Sequence, residues 1–278
     1  MSAVAFSLVS SFLFGAMTVF VRVGLRREDD ARLATLATVV TALVVAVLFA
    51  LGSHPHALVH AWPYALAGLL APGGSQLLFT AAVQTVGASR ASMVVGTAPL
   101  LALTLAFAVL HEPVRAPLVV GALAIVAGGV ALVAERRPEH LRGIGLLLAA
   151  GCCVFFALRD NLVRHIAVSS AVPPSVAAAT SLLVGSLVAL GFSRRLPPAR
   201  TLRAFAPAGV CFGVSYVFVF EAYYRGRVSV VSPLISTETL WGVTLSALFL
   251  RHSELVGRRL LLGAALIVTG GVLIGVFR

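Results

Sequence analysis

Residues 112–130 read EPVRAPLVVGALAIVAGGV, and residues 254–272 read ELVGRRLLLGAALIVTGGV. Laid over one another they agree at ten of 19 positions: Glu112, Val114, Leu118, Gly121, Ala122, Ile125, Val126, Gly128, Gly129 and Val130 fall on Glu254, Val256, Leu260, Gly263, Ala264, Ile267, Val268, Gly270, Gly271 and Val272. An apolar composition alone does not produce that register. Toward the N-terminus the offset becomes 140, and Gly73, Ser75, Ala82, Ser89, Ser92, Thr97, Leu100, Thr104, Leu105 and Leu110 match Gly213, Ser215, Ala222, Ser229, Ser232, Thr237, Leu240, Thr244, Leu245 and Leu250. The 142-residue offset also pairs Phe14, Val21 and Arg22 with Phe156, Val163 and Arg164. A period this long lies far above the roughly 20–50 residues of stacked-repeat proteins. The chain is therefore read as two related halves, 1–140 and 141–278.

The composition says where these halves reside. Hydrophobic residues make up 59%, charged residues 11%, and the mean hydropathy is +1.02. A soluble domain carries about 25% charged residues, so there is too little charge here to cover a surface facing water. Ten apolar segments approach the roughly 20 residues that span a bilayer as a helix: 3–21, 33–52, 62–83, 91–110, 116–134, 143–163, 174–192, 204–224, 228–250 and 260–277. Helices are required because peptide groups cannot stay unsatisfied against lipid, and the alternation of a membrane barrel is absent. The N-terminus lacks a basic region and small-residue cleavage site, so the first segment is read as a retained helix. The fold class is all-α integral membrane. Five helices per half is an odd number, so the halves enter from opposite sides as inverted repeats. Secondary transporters recurrently use that architecture, with the substrate near the midplane between the halves.

All 21 basic residues are arginine and the formal charge is +11. They sit in short connections between segments, where contact with lipid headgroups accounts for them and a nucleic-acid surface does not. The odd-numbered loops hold 15 arginines against 6 elsewhere. The positive-inside rule thus places the odd loops in the cytoplasm and both termini outside.

A proline-bearing apolar helix (Pro99) ending Leu110-His111-Glu112, followed by GALAIVAGGV at 121–130, resembles the EamA-type repeat of the drug/metabolite transporter superfamily; Glu254 and GAALIVTGGV at 263–272 close the second copy in the same way. The resemblance covers nearly the whole chain. It implies a ten-helix carrier in the bacterial inner membrane that exports or exchanges metabolites such as amino acids. It also implies a cavity lined by helices 1, 3, 4, 6, 8 and 9, and cytoplasmic termini, opposite to the arginine count. One departure is Thr239 where the pattern places proline, with Pro233 earlier.

Ionisable groups deep in a bilayer cost at least about 2.5 kcal/mol and persist where they face a cavity or a partner. Glu238, ten residues into segment 9, is the leading candidate: a proton or cation acceptor, or else a carboxyl satisfied by neighbouring hydroxyls. Trp241 lies one turn on. Gln76, Thr80 and Gln84 form a polar stripe on segment 3, and their counterparts Tyr216, Phe220 and Tyr224 an aromatic one on segment 8. The stripes are either facing cavity walls or ordinary packing. Glu221 is spaced to pair with Arg225, and Asp160 with Arg164, beside Arg159. Thr97 and Thr237 are equivalent and placed to satisfy backbone near Pro99 and Pro233.

Cys152, Cys153 and Cys211 read as packing residues. His54, His56 and His60 lack the carboxylate or thiol partners of a metal site. No metal, no cofactor and no catalytic residue is expected. The expected partners are a small-molecule substrate, protons and the bilayer. A monomer is expected, with a homodimer through Gly271 and Gly275 as the alternative. A nucleotide-binding P-loop is absent from the sequence, so a gradient, exchange or downhill flow must drive the carrier. Competing readings are a lipid-carrier flippase on the same fold and an integral-membrane enzyme acting on lipids.

Overall fold

The computed structural model describes residues 1–25, 30–52, 56–86, 94–133, 143–250 and 258–277. Ten helical regions occupy the ten expected segments: α1 (Ala3–Leu25), α2 (Ala31–Ala50), α3 in pieces (Pro63–Gly68 and Ser75–Val86, joined by a π-turn at Leu69–Gly74), α4 (Ala98–Ala108), α5 (Ala116–Val133), α6 (Gly143–Ser169), α7 (Pro174–Ser193), α8 (Ala199–Arg225), α9a (Val228–Ile235) with α9b (Glu238–Leu250), and α10 (Arg258–Phe277). Among the described residues, α1, α2, α6, α7 and α8 are continuous, long and apolar enough to cross a bilayer unaided.

The expectation of ten unbroken helices is corrected at segments 3, 4 and 9. In α3, Ala71 leaves helical geometry before Pro72, whose ring cannot continue the hydrogen-bond ladder. In segment 4 the chain turns at Gly96–Thr97 and re-enters the helix with Pro99 in its first turn. In segment 9 it turns at Ser236–Thr237, just after Pro233.

The packing is inside-out relative to a soluble protein. On α1, Ser7, Ser10 and Ser11 are buried while Leu8, Val9, Phe12 and Phe20 face outward. The Ser10 and Ser215 hydroxyls meet at 2.8 Å across the α1–α8 contact. Lipid gives apolar side chains no reason to hide, so small and hydroxylated residues form the helix contacts. The α5–α10 contact is made of glycines: a Cβ on Gly121 would lie 2.8 Å from the Gly270 carbonyl, and one on Gly128 2.6 Å from that of Gly263. Gly271 and Gly275, the expected GxxxG pair, take no part, and a Cβ on Gly275 meets open space.

One end of the bundle is tied shut. The Tyr64 and Tyr224 hydroxyls share a hydrogen bond. Arg164 donates from Nη1 to the carbonyls of Tyr223 (2.9 Å) and Tyr224 (3.2 Å) at the end of α8. The Glu112 carboxylate accepts from the backbone N–H groups of Val228 (2.8 Å) and Ser229 (3.0 Å), capping α9a. A carboxylate there satisfies orphan donors and meets the positive end of the helix dipole. α9a packs against α1, α4, α5, α6, α8 and α10, whereas α9b packs chiefly on α1 and α5. Among the described residues, these ties gather at the end bearing the start of α1.

Candidate functional site

The segment-9 break places Glu238 in the first turn of α9b rather than in mid-helix, and its side chain is half-buried. The break itself is held by Thr237, whose hydroxyl donates to the Leu234 carbonyl at 2.7 Å and lies 2.9 Å from Ser11 Oγ on α1. Thr97 makes the equivalent bond to the Val94 carbonyl, also 2.7 Å. Both threonines therefore satisfy backbone at helix breaks.

α1 approaches the break closely because Gly15 has no side chain. A Cβ there would lie 2.6 Å from Trp241 Cβ and 3.0 Å from the Glu238 carbonyl. Trp241 stacks edge-on to Phe12 of α1 (centroids 5.3 Å apart). It therefore belongs to the α1–α9b contact.

Opposite this break, α6 brings charge into the interior. Arg159 is 5% exposed and Asp160 6%. Arg159 Nε lies 2.9 Å from Asp160 Oδ1. The two do not meet in hydrogen-bond geometry, and Arg159 Nη1 also lacks a bond. Adjacent helix residues point apart, so such a pair is held by charge and not by an aligned bond. Asp160 Oδ2 accepts from Ser232 of α9a at 3.1 Å, and the fully buried Tyr223 lies against the same carboxylate. The Arg159 guanidinium sits over the rings of Tyr216 (5.3 Å) and Phe156 (5.8 Å), a cation–π arrangement. It is also within electrostatic reach of Glu238.

The expected Asp160–Arg164 pair is thus replaced. Asp160 takes Arg159 as its ionic partner, while Arg164, one turn later, has reached the closed end and binds the α8 carbonyls. Glu221 pairs with Arg225, Nε to Oε2 at 2.9 Å, and Arg225 lies over Phe6.

The aromatic stripe on α8 is packed and does not line open space. Phe212, Tyr216 and Phe220 follow one another at centroid spacings of 5.4 and 5.2 Å, and Phe220 continues onto Tyr64 at 6.1 Å. Tyr216 is 2% exposed and Phe220 fully buried. Tyr216 alone reaches the polar centre: its hydroxyl donates to the Ala71 carbonyl at the α3 break, and its ring carries Arg159. Gln76 is half-buried just beyond that break. Thr80 follows it by one turn, and its side chain lies outside the described residues, as do those of Gln84, His54 and His56.

Three helix breaks and a buried ion pair therefore converge, bringing together Asp160, Tyr216, Thr237 and Glu238. Trp241, Phe220, Glu221 and Thr97 stand in neighbouring packing. The residue that sequence reasoning passed over is Arg159. Its signal was available: an arginine inside an apolar segment, next to the aspartate that it pairs with.

A solved crystal structure with 21% sequence identity superimposes on this chain with a TM-score of 0.83, covering 99% of this chain and 97% of its own. No curated protein matches the chain. The model of the EamA-like transporter family matches it twice, over residues 1–134 and 143–276. Two copies of that family's unit, an all-helical fold whose outward face is apolar, and a polar centre where helices break agree: this multi-pass membrane protein belongs to the EamA-like transporter family.

Proposed function

We propose that the chain is a secondary transporter of a small charged metabolite such as an amino acid or amine, working as an exporter or exchanger in the bacterial inner membrane. It alternates access to a midplane site between two inverted halves. The observation that carries this reading is Glu238: a half-exposed carboxyl at a helix break in the bundle interior, within reach of the Arg159 guanidinium.

Inversion is supported by the odd number of helices per half, and a two-fold relation between the halves by the packing. Exchanging α1 with α6, α3 with α8 and α4 with α9 turns the α1–α8 contact into α6–α3 and the α1–α9 contact into α6–α4, and all four are made. The shared Thr97 and Thr237 bonds place the breaks of the two halves in corresponding positions.

Glu238 holds either a proton or the cationic group of a solute, never both. A proton entering from one side displaces the solute to that same side, and release of the proton on the other side frees Glu238 for the next solute, which couples export to the proton gradient without nucleotide hydrolysis. The Tyr64–Tyr224, Glu112 and Arg164 contacts close one face while the other admits solute.

Glu238→Gln keeps the size and hydrogen bonding of the side chain and removes its charge. The expected result in proteoliposomes is a folded protein that no longer transports, or that transports without responding to a pH gradient. Full transport by the variant at every pH would sink the proposal.

A further inference from the structure

Arg159 is the most conspicuous polar group not absorbed by that reading. Two neighbours on α6 show what a structural polar group looks like here. Arg164 Nη1 reaches two carbonyls at 2.9 and 3.2 Å. The Asn161 amide nitrogen reaches those of Ala102 and Ala157 at 3.0 and 2.9 Å. Arg159 is as buried as Asn161 and more so than Arg164, yet its Nε and Nη1 make no hydrogen bond among the described residues. Its ionic partner among the described residues is its chain neighbour Asp160, in poor alignment, and two rings flank its faces. Buried donors left unmade are costly, and a guanidinium fork is shaped for a planar anion such as a carboxylate.

The repeat gives an independent argument. Scaffold features recur in both halves, as Thr97 and Thr237 do. The 142-residue offset places Arg159 over Met17 and Asp160 over Thr18. The charge pair is thus no part of the shared scaffold.

We infer that Arg159 is the receptor for an anionic group of the transported solute, and that Asp160 is the resting counter-ion which this group displaces. The solute carries a compact planar anion, a carboxylate in the simplest case, beside the cation held by Glu238; a plain amine is not sufficient. Once displaced, Asp160 remains tied to Ser232 Oγ on α9a, the half-helix that Glu112 caps at the closed end. Occupancy at Arg159 is therefore transmitted to the element that must move when that end opens. The inference rests on the reading of the interior as a transport site.

The test uses purified full-length protein and ligand-induced thermal stabilisation. Three matched probes serve for each of two scaffolds: L-leucine and L-phenylalanine, the amines lacking their carboxylates, and the acids lacking their amino groups. Wild type should respond most strongly to the amino acids. Arg159→Gln/Asp160→Asn removes both charges together and so avoids leaving one of them buried alone. It should lose at least tenfold in apparent affinity for both amino acids and both acids while keeping its response to the amines. Asp160→Asn alone should bind the carboxylates several-fold more tightly, because their competitor is gone. Arg159→Lys, which keeps the charge without the fork, should fall between. A merely structural pair predicts lower melting temperatures with unchanged probe selectivity, and that result overturns the inference. So does a wild type that responds to the amines alone, or to none of the six probes. Glu238→Gln separates the two proposals: loss of the amine response with the acid response intact supports the Glu238 site, and its retention overturns that reading without touching Arg159.

Discussion

Glu112 shows how one side chain decides whether an end of this bundle holds. Its carboxylate takes two backbone N–H groups that no other acceptor reaches, at a site only 9% exposed. Glu112→Ala leaves both donors buried and unmade. The expected cost is about 1–3 kcal/mol, read as a lower melting temperature in detergent, whereas Glu112→Gln should recover part of it. Its repeat counterpart Glu254 lies outside the described residues. Tyr216 is a second residue with two tasks, a hydroxyl bond to the α3 break and a ring under Arg159. Tyr216→Phe separates them: stability should drop by about 1 kcal/mol with carboxylate selectivity retained.

Among the elements, the contact between α1 and α9b is a close one beside Glu238. Gly15 admits Trp241, Gly242 and the Glu238 carbonyl to within 3.0 Å of where a Cβ would stand. Gly15→Val must push α9b away, an overpacking cost of about 1–3 kcal/mol. Transport should fail in a protein that still folds, checked by uptake beside gel-filtration behaviour.

The start of α2 responds to pH. Asp30 caps it, accepting from the Arg32 and Leu33 amides, and pairs with Arg195 at 2.7 Å near the end of α7. The Arg195 bond, with the two backbone amides, outweighs partial burial and holds the Asp30 carboxyl below the usual carboxylate range. A lowered folded value means stability that is fully present above the unfolded value of about 3.9 and lost as pH falls through the folded one. The pair is largely exposed, so its share is at most about 1 kcal/mol. Melting curves of wild type and Asp30→Asn should therefore differ at pH 6 and converge below pH 3.

For the whole molecule, the ties among the described residues gather at the face bearing Tyr64, Glu112, Arg164 and Tyr224. In a protein whose native cysteines are replaced by serine or alanine, a cysteine at Gln76 should react with a membrane-impermeant thiol reagent from one side only. A cysteine at Tyr64 should stay protected until the carrier turns over. The arginine count and the resemblance give opposite sides, and a C-terminal reporter decides between them. The arginine excess in the odd loops belongs to this chain itself, so a C-terminal reporter is expected to read as periplasmic; a cytoplasmic reading would favour the orientation implied by the resemblance.

The two halves, the membrane setting, the segment positions and the family were legible in the sequence. Each rests on properties that add up along a chain: apolar length, repeat register and arginine placement. Glu238 stood out for the same reason, as a carboxylate in an apolar run. Four things needed the third dimension. The sequence showed Pro72 and Pro233 but not that the chain would break there, because neighbouring helices can absorb a proline. Spacing on a helix suggested Asp160 with Arg164, yet where each side chain points depends on which helices flank α6 at that height. The aromatic stripe of α8 suited a cavity wall or a packed core equally well, and only its partners Tyr64 and Phe212 made it core. That Nε and Nη1 of the buried Arg159 meet no hydrogen-bond partner among the described residues became visible only once the surrounding acceptors could be counted.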